Sequence, residues 1–87
     1  MKMEQVQAVA DVALRDGLSE TTLSKLRATF SGVHFTYCMD DDVTGAEPFL
    51  RHPGMNVYLV DGRDHCLMLT ETLAVATGLV LAEVLED

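Results

Sequence analysis

The chain is 87 residues long and 48% apolar, which suits one domain with a single core and excludes wholesale disorder. Its formal charge of −8 sits on one side of the sequence: residues 1–32 carry four bases against four acids, residues 33–87 two bases against ten acids. That balance argues against nucleic acid and against an anionic membrane surface as partners, because both are recognised by neutralising phosphate charge.

The first residues, Met1-Lys2-Met3-Glu4-Gln5, lead into a polar-striped segment and not into the apolar region of an export signal. The run from Leu73 to Ala82 is about half of what a membrane span needs. The expected setting is therefore the cytoplasm, with Cys38 and Cys66 as reduced thiols.

The first third reads as a helical hairpin. Met3, Val6, Ala10, Ala13 and Leu14 recur at helical spacing, with Asp11 and Arg15 placed as an i,i+4 pair. Gly17 suits the left-handed residue that ends such a helix, with Leu18 folding back on the last turn. Ser19 offers an oxygen to the first amides of a second helix, and Leu18 with Leu23 has the spacing of a hydrophobic staple. Leu23, Leu26 and Phe30 form the second stripe, Lys25 and Arg27 favour its C-terminal half, and Gly32 closes it.

From Val33 the pattern alternates. Val33, Phe35, Tyr37 and Met39 point one way and His34, Thr36 and Cys38 the other, as in a strand. Asp40, Asp41 and Asp42 must stop it, since three adjacent carboxylates do not share a buried ladder. Asp40 to Gly54, broken by Gly45, Pro48, Pro53 and Gly54, reads as a long surface loop, a length that marks it as functional or mobile.

Met55–Val60 and Cys66–Leu69 then read as a hairpin around residues 61–64. Val57, Leu59, Cys66 and Met68 share one face; Tyr58, Val60, His65, Leu67 and Leu69 share the other. Both faces are apolar, so the hairpin is expected to be central in the sheet or covered on its second side. The remaining stretch has two readings. Thr70 caps a helix with Leu73, Ala76, Val80 and Val84 on one stripe, or a turn leads to a strand from Leu79 to Val84. The helix is preferred, although Gly78 costs it about 1 kcal/mol relative to Ala. The expected fold is thus a single α+β domain over residues 1–87, with an N-terminal helical hairpin, a three-stranded antiparallel sheet and a C-terminal helix. A fourth strand at the C-terminus is the alternative.

Two constellations bear on chemistry. Asp40, Asp42, Thr44 and Gly45 match the opening of an EF-hand calcium loop, but position 12 requires a bidentate Glu and is Arg51. His34, Cys38, His65 and Cys66 form a ligand set suited to zinc or another transition metal. Their spacing disfavours a complete site: His34 and Cys38 stand about 13 Å apart on a strand, and His65 and Cys66 point to opposite faces. Ordinary roles as small core thiols and surface imidazoles are the competing reading. The Arg51-His52 pair has the charge to meet an anion, its plain reading being an exposed loop pair. No phosphate loop, nucleophile elbow or His-Glu-x-x-His is present.

The strings His34-Phe35-Thr36-Tyr37-Cys38 with Asp40-Asp41-Asp42, His65-Cys66-Leu67, and Thr77-Gly78-Leu79-Val80-Leu81-Ala82-Glu83 are similar to a small bacterial family of unknown activity, some members of which are encoded beside nitrogen-fixation genes. The resemblance implies a cytoplasmic bacterial accessory factor and carries over no functional residue. The expected function is non-enzymatic, without a resident cofactor. Asp40, Asp41, Asp42 and Glu47 would form an acidic surface for a basic protein partner, or the second apolar sheet face would serve self-association. A small metal- or redox-linked protein using Cys38 and Cys66 with His34 and His65 is the alternative.

Overall fold

The protein is seen in a computed structural model that describes residues 1–43, 46–62 and 68–85. Helix α1 (Met3–Asp16) buries Val6, Val9, Ala10 and Ala13. Met3 and Leu14, expected on that stripe, lie exposed at its ends, and Val9 takes their place. Gly17 leaves the helix at φ 84°, a region where a side chain would be strained, and its N–H returns to the Ala13 carbonyl. Ser19 caps α2 (Glu20–Thr29), its hydroxyl accepting from the Thr22 amide at 3.2 Å, and Leu18 packs inward beside it. The anticipated Asp11–Arg15 pair does not form. Arg15 turns instead to its neighbour Asp16 at 3.1 Å, and Lys25 of α2 reaches the same carboxylate at 2.9 Å and so ties α2 to α1.

The sheet departs from expectation. Among the described residues it has five strands and is mixed: β1 (His34–Met39), β2 (Leu50–His52), β3 (Met55–Asp61), β4 (Met68–Thr70) and β5 (Gly78–Glu83). The order is β1-β5-β3-β2, with β4 also pairing to β3 beyond β2. The C-terminal stretch is thus a strand and not a helix. Thr70 ends β4, and only a short 3₁₀ turn (Leu73–Val75) stands where the helix was expected to begin. β5 runs parallel to β1 and antiparallel to β3, so the sheet is not purely antiparallel. Its apolar run gives no alternation because it is covered on both faces, and such a run has no period of its own.

On one face Phe35, Met55, Val57, Leu59, Leu79 and Leu81 pack beneath the two helices as the main core. On the other, Tyr58, Val60, Val80 and Ala82 form a second buried cluster. The predicted alternation of β1, and the faces given to Val57, Leu59, Met68, Tyr58, Val60 and Leu69, match this register. His65, Cys66 and Leu67 lie outside the described residues.

Strand order also explains the long loop. β1 and β2 occupy opposite edges, so the chain between them must cross the sheet. It leaves β1 through a 3₁₀ turn (Asp40–Asp42) and lays Val43 and Ala46 over the second cluster. It regains the ladder where the Phe49 amide donates to the Val57 carbonyl at 2.8 Å. The expectation of fifteen residues without regular structure is corrected on two counts, by that turn and by β2.

Gly78 permits the close approach of β1 and β5. A Cβ there would meet the His34 carbonyl oxygen at 2.6 Å and the His34 Cβ at 2.9 Å, and the nearer of these is backbone that cannot swing aside. Gly78→Ala should therefore cost about 1–3 kcal/mol in denaturant unfolding, as overpacking does. A loss below about 0.5 kcal/mol, the usual scatter of surface changes, would show that the strands are not so tightly opposed.

Candidate functional site

The acidic turn follows from β1 directly: the strand must end where the charge begins, and the chain then bends over the second face. This bend separates three carboxylates that look alike in sequence. Asp40 folds inward, where one oxygen accepts from the Tyr58 hydroxyl at 2.7 Å and from Asn56 Nδ2 at 2.9 Å. Asp41 and Asp42 remain exposed. Asn56 and Tyr58 come from β3, on the face that the crossover covers. A tyrosine amid the apolar run Val57–Val60 was the available signal, since a buried phenol seeks a partner for its O–H.

These contacts shift both groups. The hydrogen bonds from Asn56 and Tyr58 hold the Asp40 carboxyl below its ordinary value. Burial, reinforced by the Asp40 carboxylate, pushes the Tyr58 phenol up to about 12. Glu47, on the same crossover, is exposed and meets Arg51 of β2 at 2.7 Å. Arg51 is thus turned toward an acid of its own chain and not free for an anion. His52 belongs to β2 as well, and its Nε2 is buried without a hydrogen-bond partner among the described residues.

The rim of the crossover borders an open cleft of about 250 Å³ lined by Ala46, Glu47, Tyr58, Leu69, Thr70 and Glu71. Its lining mixes apolar and polar surface, with Leu69 41% exposed, Tyr58 largely buried beneath it, and Glu47, Thr70 and Glu71 among the lining residues. Such a cleft can take an aliphatic stem that ends in a cation.

The Cys/His set does not assemble from what is described. His34 and Cys38 share the second face, four residues apart on β1, and His34 is exposed. Cys38 is half-buried and free, and burial together with Asp42 and Asp40 pushes its thiol up, away from thiolate chemistry at neutral pH. His65 and Cys66 lie outside the described residues, as do Thr44 and Gly45 of the calcium-like string. Among the described residues no three His, Cys, Asp or Glu side chains come together in a way that would hold a metal ion. No helix, again among those residues, is long and apolar enough to cross a membrane.

The pinned Asp40 sets a pH window. A lowered carboxyl stabilises the fold above its ordinary value of 3.8, and this contribution is lost as pH falls below it. A raised phenol stabilises below its ordinary value of 10.0, and the contribution is lost as pH rises from there to about 12. Asp40→Ala, which leaves the Tyr58 hydroxyl buried without its acceptor, should cost about 1–3 kcal/mol and flatten the acid limb of a stability–pH profile. Asp41→Ala should stay within about 0.5 kcal/mol of the parent. Equal losses for the two variants would contradict the distinction.

Comparison with known proteins returns no curated protein and no solved structure that matches. Over residues 4–84 the sequence matches a family of unknown function, DUF6129. Since that match spans nearly the whole chain, sheet and crossover included, the protein is a member of the DUF6129 family.

Proposed function

We propose that this protein is a non-enzymatic interaction module whose acidic crossover receives a basic segment of a partner protein. The cleft lined by Glu47 and Glu71 carries the reading: exposed Leu69 offers apolar surface to the stem of a lysine or arginine side chain, and the two acidic residues suit its charged end. Asp41 and Asp42, exposed on the same crossover, add negative charge that would steer a basic chain toward this side of the molecule and raise its association rate. The Arg51–Glu47 pair is exposed on both sides, and exposed pairs contribute at most about 1 kcal/mol, so an incoming cation can displace it. The strings shared with the small bacterial family support a cytoplasmic accessory role, and the link of some members to nitrogen-fixation genes suggests that cellular setting. Absence of a resident cofactor belongs to the same proposal. The raised thiol of Cys38 favours it over a metal- or redox-linked role.

The test uses a fluorescent peptide of alternating lysine and leucine, followed by anisotropy and by amide shifts. The parent protein should bind it, with shifts centred on Ala46, Glu47, Leu69 and Thr70, and Glu47→Gln with Glu71→Gln should weaken binding at least tenfold. Raising the salt should weaken it as well, as exposed charge contacts require. Binding that is absent, or unchanged in the double variant, would refute the proposal.

A further inference from the structure

Among the described residues of the acidic part, 33–87, Arg51 is the one base. It stands opposite Asn56 in the β2–β3 ladder, and so on the face that the crossover covers. Two carboxylates of the crossover feel its charge. Its Nη2 donates to Glu47 Oε2 at 2.7 Å, while the guanidinium helps to hold the Asp40 carboxyl down through charge alone. Asp40 is satisfied without it, by Asn56 and Tyr58. Glu47 accepts from Arg51 alone among the described residues. Glu47 is also one of the two acids that line the cleft, and Arg51 itself does not line it. The cation thus reaches a carboxylate of the cleft from outside and leaves the surface of Leu69 open.

We propose that Arg51 is a built-in competitor for the cleft, withholding the Glu47 carboxylate until a basic side chain of the partner replaces it, a role that rests on the cleft being a site for a basic segment. Three features suit Arg51 to this exchange. Its pair with Glu47 is exposed by 66% and 78% on its two sides, and a pair so open to water is weak enough to let go. The departing guanidinium keeps a second carboxylate nearby, since Arg51 stays fixed on β2 beside Asp40. Exchange also replaces one cation by another on the same carboxylate, so Glu47 is paired before and after. This arrangement selects among ligands. A lone small cation gains at Glu47 only what Arg51 gives up there. A lysine or arginine side chain gains the apolar contact with Leu69 and the charge of Glu71 as well. Arg51 thereby raises the threshold for simple cations and leaves a basic segment as the favoured ligand.

Anisotropy with the lysine–leucine peptide on four proteins tests it: the parent, Arg51→Gln, Glu47→Gln and the double variant. Both side chains are exposed, so the substitutions leave the core untouched. Arg51→Gln should tighten binding about three- to fivefold, the upper figure being the most that an exposed pair supplies. In the Glu47→Gln background no carboxylate is withheld, and the same substitution should change affinity by less than about twofold, as uncoupled sites do. Equal tightening in both backgrounds would overturn the proposal, because Arg51 would then act as a distant charge on the whole acidic surface. No tightening in either would overturn it too. In both of those cases, capture of the peptide by the parent and its loss in Glu47→Gln with Glu71→Gln would leave the cleft itself standing. A parent that binds no peptide removes the cleft and its competitor together.

Discussion

The insertion of β5 between β1 and β3 is the constraint from which the rest of the molecule follows. Leu79 and Leu81 face the helices, and Val80 and Ala82 face the crossover; all four are buried. Each leucine contributes about 1.5–3 kcal/mol by leaving water, more than any exposed ion pair on this surface can supply. With β5 in the middle, β1 and β2 stand at opposite edges. The chain joining them must then travel over the face that the helices do not cover. The acidic segment is a roof because of the strand order, and Asp40 is the pin that fastens it.

That dependence explains which parts could be read from the sequence. The helical hairpin is written locally: Ser19 caps, Gly17 ends, and Val6, Ala10, Leu23 and Leu26 repeat at the right interval, with no distant residue needed to interpret them. The alternation of β1 is local too, as is its termination at Asp40. The C-terminal strand is not. A run such as Leu79-Val80-Leu81-Ala82 is compatible with a buried strand or a buried helix, and the choice was made by β1, more than forty residues away. Gly78 pointed the right way for an unsuspected reason. It does interrupt a helix, yet its role is to let β1 lie close against β5.

The candidate surface was legible to the same degree. Asp41, Asp42 and Glu47 are exposed on the segment that reads as a surface loop. Asp40 is not, because its fate depends on Tyr58, a partner eighteen positions on whose approach exists only once the sheet is formed. Glu71 and Leu69 join the cleft through the β3–β4 pairing and had no signal of their own. One short segment therefore has two roles divided residue by residue, with its inward acid holding the roof and its outward acids meeting solvent.

If β5 is the keystone, its amides should open only when the whole domain unfolds. Native-state hydrogen exchange followed by NMR measures this directly. Leu79, Leu81 and Val80 should match the slowest amides of β3, near Val57 and Leu59, with opening free energies close to that of global unfolding. Amides of residues 78–83 that exchange as fast as those of the exposed Asp41 and Asp42, or that show helical contacts among residues 73–84, would contradict the account at its root.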